Sequence, residues 1–162
     1  HNRGVRSEEQ IQVLKALWTD ELVTFRGRWH NITDAGINPM PVQRPIPLWF
    51  GGEAEPVLKR VARFGDGWIP RVRPDDRGRA LVEKMRSYAL QEGRDPAAIG
   101  IEGWVSIADR SPQEWAEAVA AWREFGATHV SVNTMGAGLS SPDDHIDALR
   151  RYKDAAAAEA GP

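Results

Sequence analysis

Cysteine is absent from all 162 residues. That excludes disulfides, thiolate metal sites and a thiol nucleophile. Net charge is nearly absent too, with 21 Lys and Arg against 23 Asp and Glu for a formal −2. A nucleic-acid footprint needs clustered positive charge, so nucleic acid is not an expected partner. No apolar run approaches the roughly 18–20 residues of a membrane span, and no signal peptide is visible. The expectation is a cytoplasmic protein without a membrane partner. A GxGxxG fingerprint is missing, which disfavours a nicotinamide-binding Rossmann unit. The four histidines, His1, His30, His129 and His145, fall at no metal-ligand spacing, and no Ser-His-Asp set stands out. The first residue is His1 rather than Met, which fits a processed, trimmed or partial chain.

What is present is a globular mixture, 41% hydrophobic and 27% charged, with seven tryptophans. The spacing predicts a helix over 8–18 that carries Ile11, Leu14, Leu17 and Trp18 on one face. Ser7 reads as its N-cap and Gln10 as the capping-box partner. Residues 20–45 read as an irregular insertion, broken by Gly27, Gly36, Pro39, Pro41 and Pro45, with Leu22 to Phe25 as a short strand. The apolar run from Ile46 to Phe50 reads as a buried strand ending at Gly51 and Gly52. A helix over 53–64 presents Val57, Leu58, Val61 and Ala62, and Gly65, Asp66 and Gly67 stop it. Trp68, Ile69 and Pro70 read as the next strand. A helix over about 76–92 aligns Leu81, Met85, Tyr88 and Ala89, with Gly93 just past its end.

Ile99 to Ala108 reads as the third strand. Ser111, Pro112, Gln113 and Glu114 form a strong helix start, with an N-cap, Pro at N1 and Glu at N3. The helix it opens is expected to bury Trp115, Ala118, Val119 and Trp122 and to end at Gly126. His129 to Asn133 is the fourth strand, and Ser141 starts a last helix that fades into Ala155 to Ala158. Strands that alternate with single helices predict βαβ units and a parallel sheet. A full (β/α)8 barrel needs about 250 residues. Two architectures therefore fit, a small open α/β sheet and half of a barrel.

Four stretches stand in a particular order along the chain: Asn2, Arg3, Gly4, Val5, Arg6, Ser7, Glu8 and Glu9; Leu17, Trp18 and Thr19 with Val23, Thr24, Phe25, Arg26 and Gly27; Pro47 to Gly52; and Arg60, Val61, Ala62 and Arg63 through Gly65, Asp66, Gly67, Trp68, Ile69 and Pro70. Together they resemble the luciferase-like monooxygenase family, the group of bacterial luciferase and of deazaflavin-dependent oxidoreductases. No single stretch is specific, but the ordered set is. The resemblance implies an α/β fold that is the C-terminal half, four βα units, of a TIM barrel. It implies one half-barrel domain over 1–162. It further implies a flavin (FMN) or the deazaflavin coenzyme F-420, the latter slightly preferred, for hydride transfer or oxygenation of a small organic substrate.

The implied site lies at the C-terminal ends of the strands. Gly51 and Gly52 let a ligand approach the backbone closely, and they read equally as an ordinary strand-to-helix turn. Asn2, Arg3, Gly4, Val5 and Arg6 precede a helix, where dipole, backbone N–H groups and guanidinium groups suit a phosphate. Trp49, Trp68 and Trp104 lie on strands, where each either packs against a flavin ring or fills the barrel interior; Trp68 is taken as a cofactor contact. No catalytic residue is assigned, because the cofactor carries such chemistry. Edge strands and an inner face bearing Trp49, Trp68 and Val132 imply that a second copy or a separate N-terminal half completes the barrel. The rival function is an inactive half-barrel that serves as a ligand-binding or assembly module.

Overall fold

A computed structural model describes residues 2–158. Four strands form a parallel sheet in simple sequence order: β3 (Trp49–Gly51), β4 (Gly67–Ile69), β5 (Gly100–Ser106) and β6 (His129–Asn133). Helices α2 (Glu55–Phe64), α3 (Asp76–Gln91) and α4 (Pro112–Phe125) make the crossovers, and α5 (Pro142–Ala158) follows β6. Ahead of the sheet stand α1 (Arg3–Thr19) and an antiparallel hairpin of β1 (Val23–Arg26) and β2 (Asn31–Ala35).

Register sorts the strand side chains into two faces. Phe50 pairs with Trp68 and Trp68 with Ile101, while Gly103 pairs with Val130 and Val105 with Val132. This set faces the helices. There Trp68, Leu58, Val61, Ala62, Met85, Ile101 and Val105 form one buried cluster. Fully burying one such aliphatic side chain is worth about 1.5–3 kcal/mol, so this layer dominates stability. Gly103 is required because a Cβ there would collide with the Trp122 ring on α4. The opposite face carries Trp49, Glu102, Trp104, His129 and Ser131. Trp49 lies across Gly67 and Gly100, where any Cβ would strike its ring, and meets His129 edge-on at 4.9 Å between centroids. Glu102 accepts a hydrogen bond from Ser131 on the same face.

Several expectations are corrected. Helix α1 begins at Arg3, so Ser7 lies inside it and makes no cap; nothing in residues 3–6 breaks a helix. Its buried positions are Ile11 and Val13, while Leu14 is exposed, because α1 is packed by α2 and by the hairpin rather than by the sheet. Trp18 is only half-buried. The insertion is not wholly irregular, since Asn31–Ala35 pairs with β1; its polar composition hid that strand. Strand β3 spans Trp49–Gly51, not the run from Ile46, because Pro45 and Pro47 have no N–H for a ladder, and it is half-buried. Helix α3 turns Val82 inward with Met85 and Ala89, leaving Leu81 and Tyr88 half-buried. Helix α4 buries Ala116 and Phe125 beside Trp115 and Trp122, with Ala118 and Val119 half-buried. Trp68 and Val132 face the helices, not the barrel interior, as the pairings Phe50–Trp68 and Val105–Val132 require.

Candidate functional site

At the C-terminal edge of the sheet β3 runs into a turn built on glycine. Gly52 has φ +114°, a conformation that L side chains rarely adopt. Its N–H donates to the Ile69 carbonyl at 3.3 Å, and its carbonyl accepts the Trp68 indole N–H at 2.6 Å. Gly51 faces the inner side, where a Cβ would meet only the Ile69 carbonyl oxygen at 4.0 Å, so its surface is open.

Helix α2 then starts without a cap of its own. Ala54 holds the N-cap position in extended geometry and offers no side-chain acceptor. Pro56 has no N–H to satisfy. Among the described residues, the N–H groups of Glu53, Ala54 and Glu55 donate to no acceptor. Two carboxylates nearby are drawn elsewhere. Glu53 accepts from Arg77 Nη2 at 2.6 Å. Glu55 is held by Lys59 at 2.9 Å, Lys84 at 3.0 Å and the Tyr88 hydroxyl at 2.9 Å. Those contacts, Lys59 first, hold the Glu55 carboxyl down at about 2. The helix start therefore keeps its positive dipole end and free donors.

The rest of the rim is polar. Asn133 accepts the Met135 N–H at 3.0 Å, and Thr134 Oγ1 lies 2.6 Å from His145 Nδ1. A cleft of about 580 Å³ between the loops after β5 and β6 is lined by Asp109, Arg110, Trp115, Gly136 and Arg151.

The structure joins some expected site residues and separates others. Gly51, Gly52 and Trp68 form one unit, but Trp68 is fully buried on the helix side and reaches the site only through the Gly52 carbonyl. Asn2 is the N-cap of α1, and Arg3, Gly4, Val5 and Arg6 form its first turn. Arg3, Val5 and Arg6 are exposed. A Cβ on Gly4 would come 2.7 Å from Arg60 Nη2, so the α1 start lies beside the middle of α2. Among the described residues, no hydrogen bond or ion pair joins residues 2–6 to Gly51 or Gly52. His129 opens β6 and so lies at the opposite end of the sheet from this rim.

Residues that the sequence reading passed over include Arg60, whose guanidinium pairs with Glu8 at 3.6 Å while its Nε is buried without a partner. The pairs Glu53–Arg77 and Glu55–Lys84 also went unread, because they join the β3–α2 turn and α2 to the distant α3. The uncapped α2 start was legible: none of Glu53, Ala54 and Glu55 ahead of Pro56 is a Ser, Thr, Asp or Asn that caps a helix.

Among the described residues no helix is long and apolar enough to cross a membrane. The FMNH(2)-dependent dimethylsulfone monooxygenase of Pseudomonas putida is 31% identical over 144 residues, 85% of this chain and 39% of its own length. The F420-dependent glucose-6-phosphate dehydrogenase of Kineococcus radiotolerans is 34% identical over 91 residues, 56% of this chain and 26% of its own. Among solved structures, the monooxygenase RslO1 from Streptomyces bottropensis superposes with a TM-score of 0.64 at 16% identity, over 94% of this chain and 60% of that one. The chain thus spans less than two fifths of the length of these two curated relatives. The likeness to that structure and the four sequential βα units agree with a partial (β/α)8 barrel. Residues 1–161 match the luciferase-like monooxygenase family, and the chain belongs to it.

Proposed function

We propose that this chain supplies the C-terminal half of a flavin- or deazaflavin-dependent oxidoreductase that acts on a small organic substrate. The observation that carries the reading is the open turn at Gly51 and Gly52, followed by three free N–H groups, at the C-terminal edge of a luciferase-like sheet. FMN or coenzyme F-420 fits these residues. The surface of Gly51 is bare and open on the inner face, and a planar ring can approach the backbone closely there. The donors of the α2 start suit a phosphate. Exposed Arg3 and Arg6, with Asn2, Gly4 and Val5, are outer contacts that draw an anionic cofactor from the flank. A bound flavin or deazaflavin supplies the hydride chemistry, while these residues bind and orient it.

The inner face and the edges β3 and β6 call for covering, and Trp104 on that face is 54% exposed. We propose that a second copy or a separate N-terminal half closes the barrel there; sedimentation with intact-mass analysis reads which. A stable 18.0 kDa monomer with no second polypeptide overturns that closure.

The functional test is a titration with FMN and with coenzyme F-420, followed by visible absorption, on this chain and on the longest reading frame that contains it. Saturable perturbation of the cofactor spectrum is expected with at least one cofactor. Its absence in both samples overturns the reading. Tight binding without turnover by the longer frame favours the inactive binding module instead. Arg6→Glu in the same titration decides the α1 contribution, and unchanged affinity removes residues 2–6 from the site.

A further inference from the structure

Trp68 is fully buried among Leu58, Val61 and Ala62 on the helix side of β4, yet its one polar atom leaves that cluster to meet the β3–α2 turn. The indole N–H donates to the Gly52 carbonyl at 2.6 Å. A trans peptide sets the C=O of one residue antiparallel to the N–H of the next. With the Gly52 carbonyl turned toward the core, the Glu53 N–H is turned away from it. The positive φ of Gly52 permits that orientation, and the indole holds it. Beyond this peptide come the free N–H groups of Ala54 and Glu55. The acids best placed to fold back on those donors are tied down, Glu53 by Arg77 and Glu55 by Lys59, Lys84 and Tyr88.

We propose that Trp68 is a positioning residue: by pinning the Gly52 carbonyl inward it presents the N–H groups of residues 53–55 to the phosphate of a flavin or deazaflavin. The proposal rests on the cofactor reading above and deepens it. It assigns Trp68 a role through the backbone and not through its ring.

Trp68→Phe keeps a buried ring and removes the N–H. Should it fail to fold, 3-benzothienylalanine at position 68 replaces the N–H by sulfur at nearly the same volume. Both are compared with the unmodified protein in ¹⁵N-edited spectra, in this chain and in the longest reading frame that contains it, first alone and then with inorganic phosphate and FMN added. Val61→Ala is a control that loosens the same cluster without touching the hydrogen bond. In the unmodified chain, the Trp68 indole proton should exchange slowly, and FMN should shift the amides of residues 53–55. Without the indole N–H, those amides should already move in the free protein, and FMN affinity should fall about tenfold, as for one hydrogen bond to a charged group. Val61→Ala should lower thermal stability and leave both readouts unchanged. Unaltered amides and affinity in the Trp68 variants overturn the positioning role while the site stands. Equal loss of affinity in Val61→Ala also overturns it, since the effect is then only structural. No response of residues 53–55 to either probe in both unmodified samples overturns the site itself.

Discussion

Helices α2 and α4 both follow a strand of the parallel sheet, both carry Pro in the first turn, and both begin after an extended residue. Their starts are otherwise opposites. At α4 the Ser111 hydroxyl accepts the Glu114 N–H at 3.3 Å, and Glu114 accepts the Ser111 N–H at 2.7 Å. The Ser111 N–H, above all, keeps the Glu114 carboxyl below its ordinary range. The Ser111 and Glu114 donors there are satisfied from within. At α2 the cap position is Ala54, three donors stand free, and two acids are pulled away by cations. A helix start that closes on itself serves stability. One that stays open gives up that stability and is free to take an acceptor from outside.

The largest effect is expected on the closed side. Trp122 is buried against Gly103 and donates its indole N–H to the Trp104 carbonyl at 3.2 Å. Trp122→Ala should lower unfolding free energy by about 3–5 kcal/mol in urea titration. The cofactor affinity of the molecules that remain folded should be unchanged. Lost affinity at unchanged stability would erase the contrast between the two helices.

Next comes the glycine of the open side. A Cβ at Gly52 would have room, since Val57 Cγ2 is 3.6 Å away, but its φ of +114° would be strained. Gly52→Ala should cost about 1–3 kcal/mol of stability. In an FMN titration it should weaken binding as well, because relaxing the turn redirects the following N–H groups. Strain without any loss of affinity would make the turn merely structural.

A smaller effect comes from exchanging the caps. Ser111→Ala should destabilise the chain by about 1 kcal/mol in thermal unfolding and leave cofactor affinity alone. Ala54→Asp should do the reverse, closing the α2 start on its own carboxylate. Stability should rise by about 1 kcal/mol while phosphate and FMN bind more weakly. Weaker binding after Ser111→Ala, or unchanged binding after Ala54→Asp, would break the comparison.

How much of this was legible follows the same division. The α4 start could be read from Ser111, Pro112 and Glu114 because cap and acceptor lie three residues apart. The alternation of strands and helices was legible for a similar local reason, since Gly52, Gly65, Gly93 and Gly126 mark ends. Faces were harder. A parallel strand covered on one side by helices and on the other by Trp49 shows no clean alternation, so Trp68 was turned to the wrong side. The start of α1 is not legible because Asn2 at its N-cap makes no side-chain cap, and the Ser7–Gln10 pattern inside the helix imitates one. The tethering of Glu53 in the β3–α2 turn and of Glu55 on α2 depends on how α3 packs against them, which no local pattern encodes.

A third stretch offers the subtlest test. The hairpin turn after β1 also presents three consecutive N–H groups, those of Arg28, Trp29 and His30, but these are occupied. The Glu9 carboxylate accepts them at 2.8, 2.8 and 2.7 Å, and His30 Nδ1 lies 2.9 Å from the same group. Burial by itself would raise the Glu9 carboxyl. The His30 contact and the three N–H groups outweigh that and bring it from 4.5 to about 2. Because the folded value is the lower one, this latch is fully present above the ordinary value of 4.5 and is lost as pH falls through about 2. Hydrogen exchange at residues 28–30, corrected for its intrinsic pH dependence, should stay protected from pH 7 to 5. It should open between about 4.5 and 2. Glu9→Gln should remove the pH dependence and leave the turn less protected throughout. The amides of residues 53–55, the same donors without a carboxylate, should exchange freely across this range until phosphate or FMN is added. Opening of the hairpin amides already at pH 5 would show that Glu9 does not hold them, and the likeness between the filled and the open donor sets would fail.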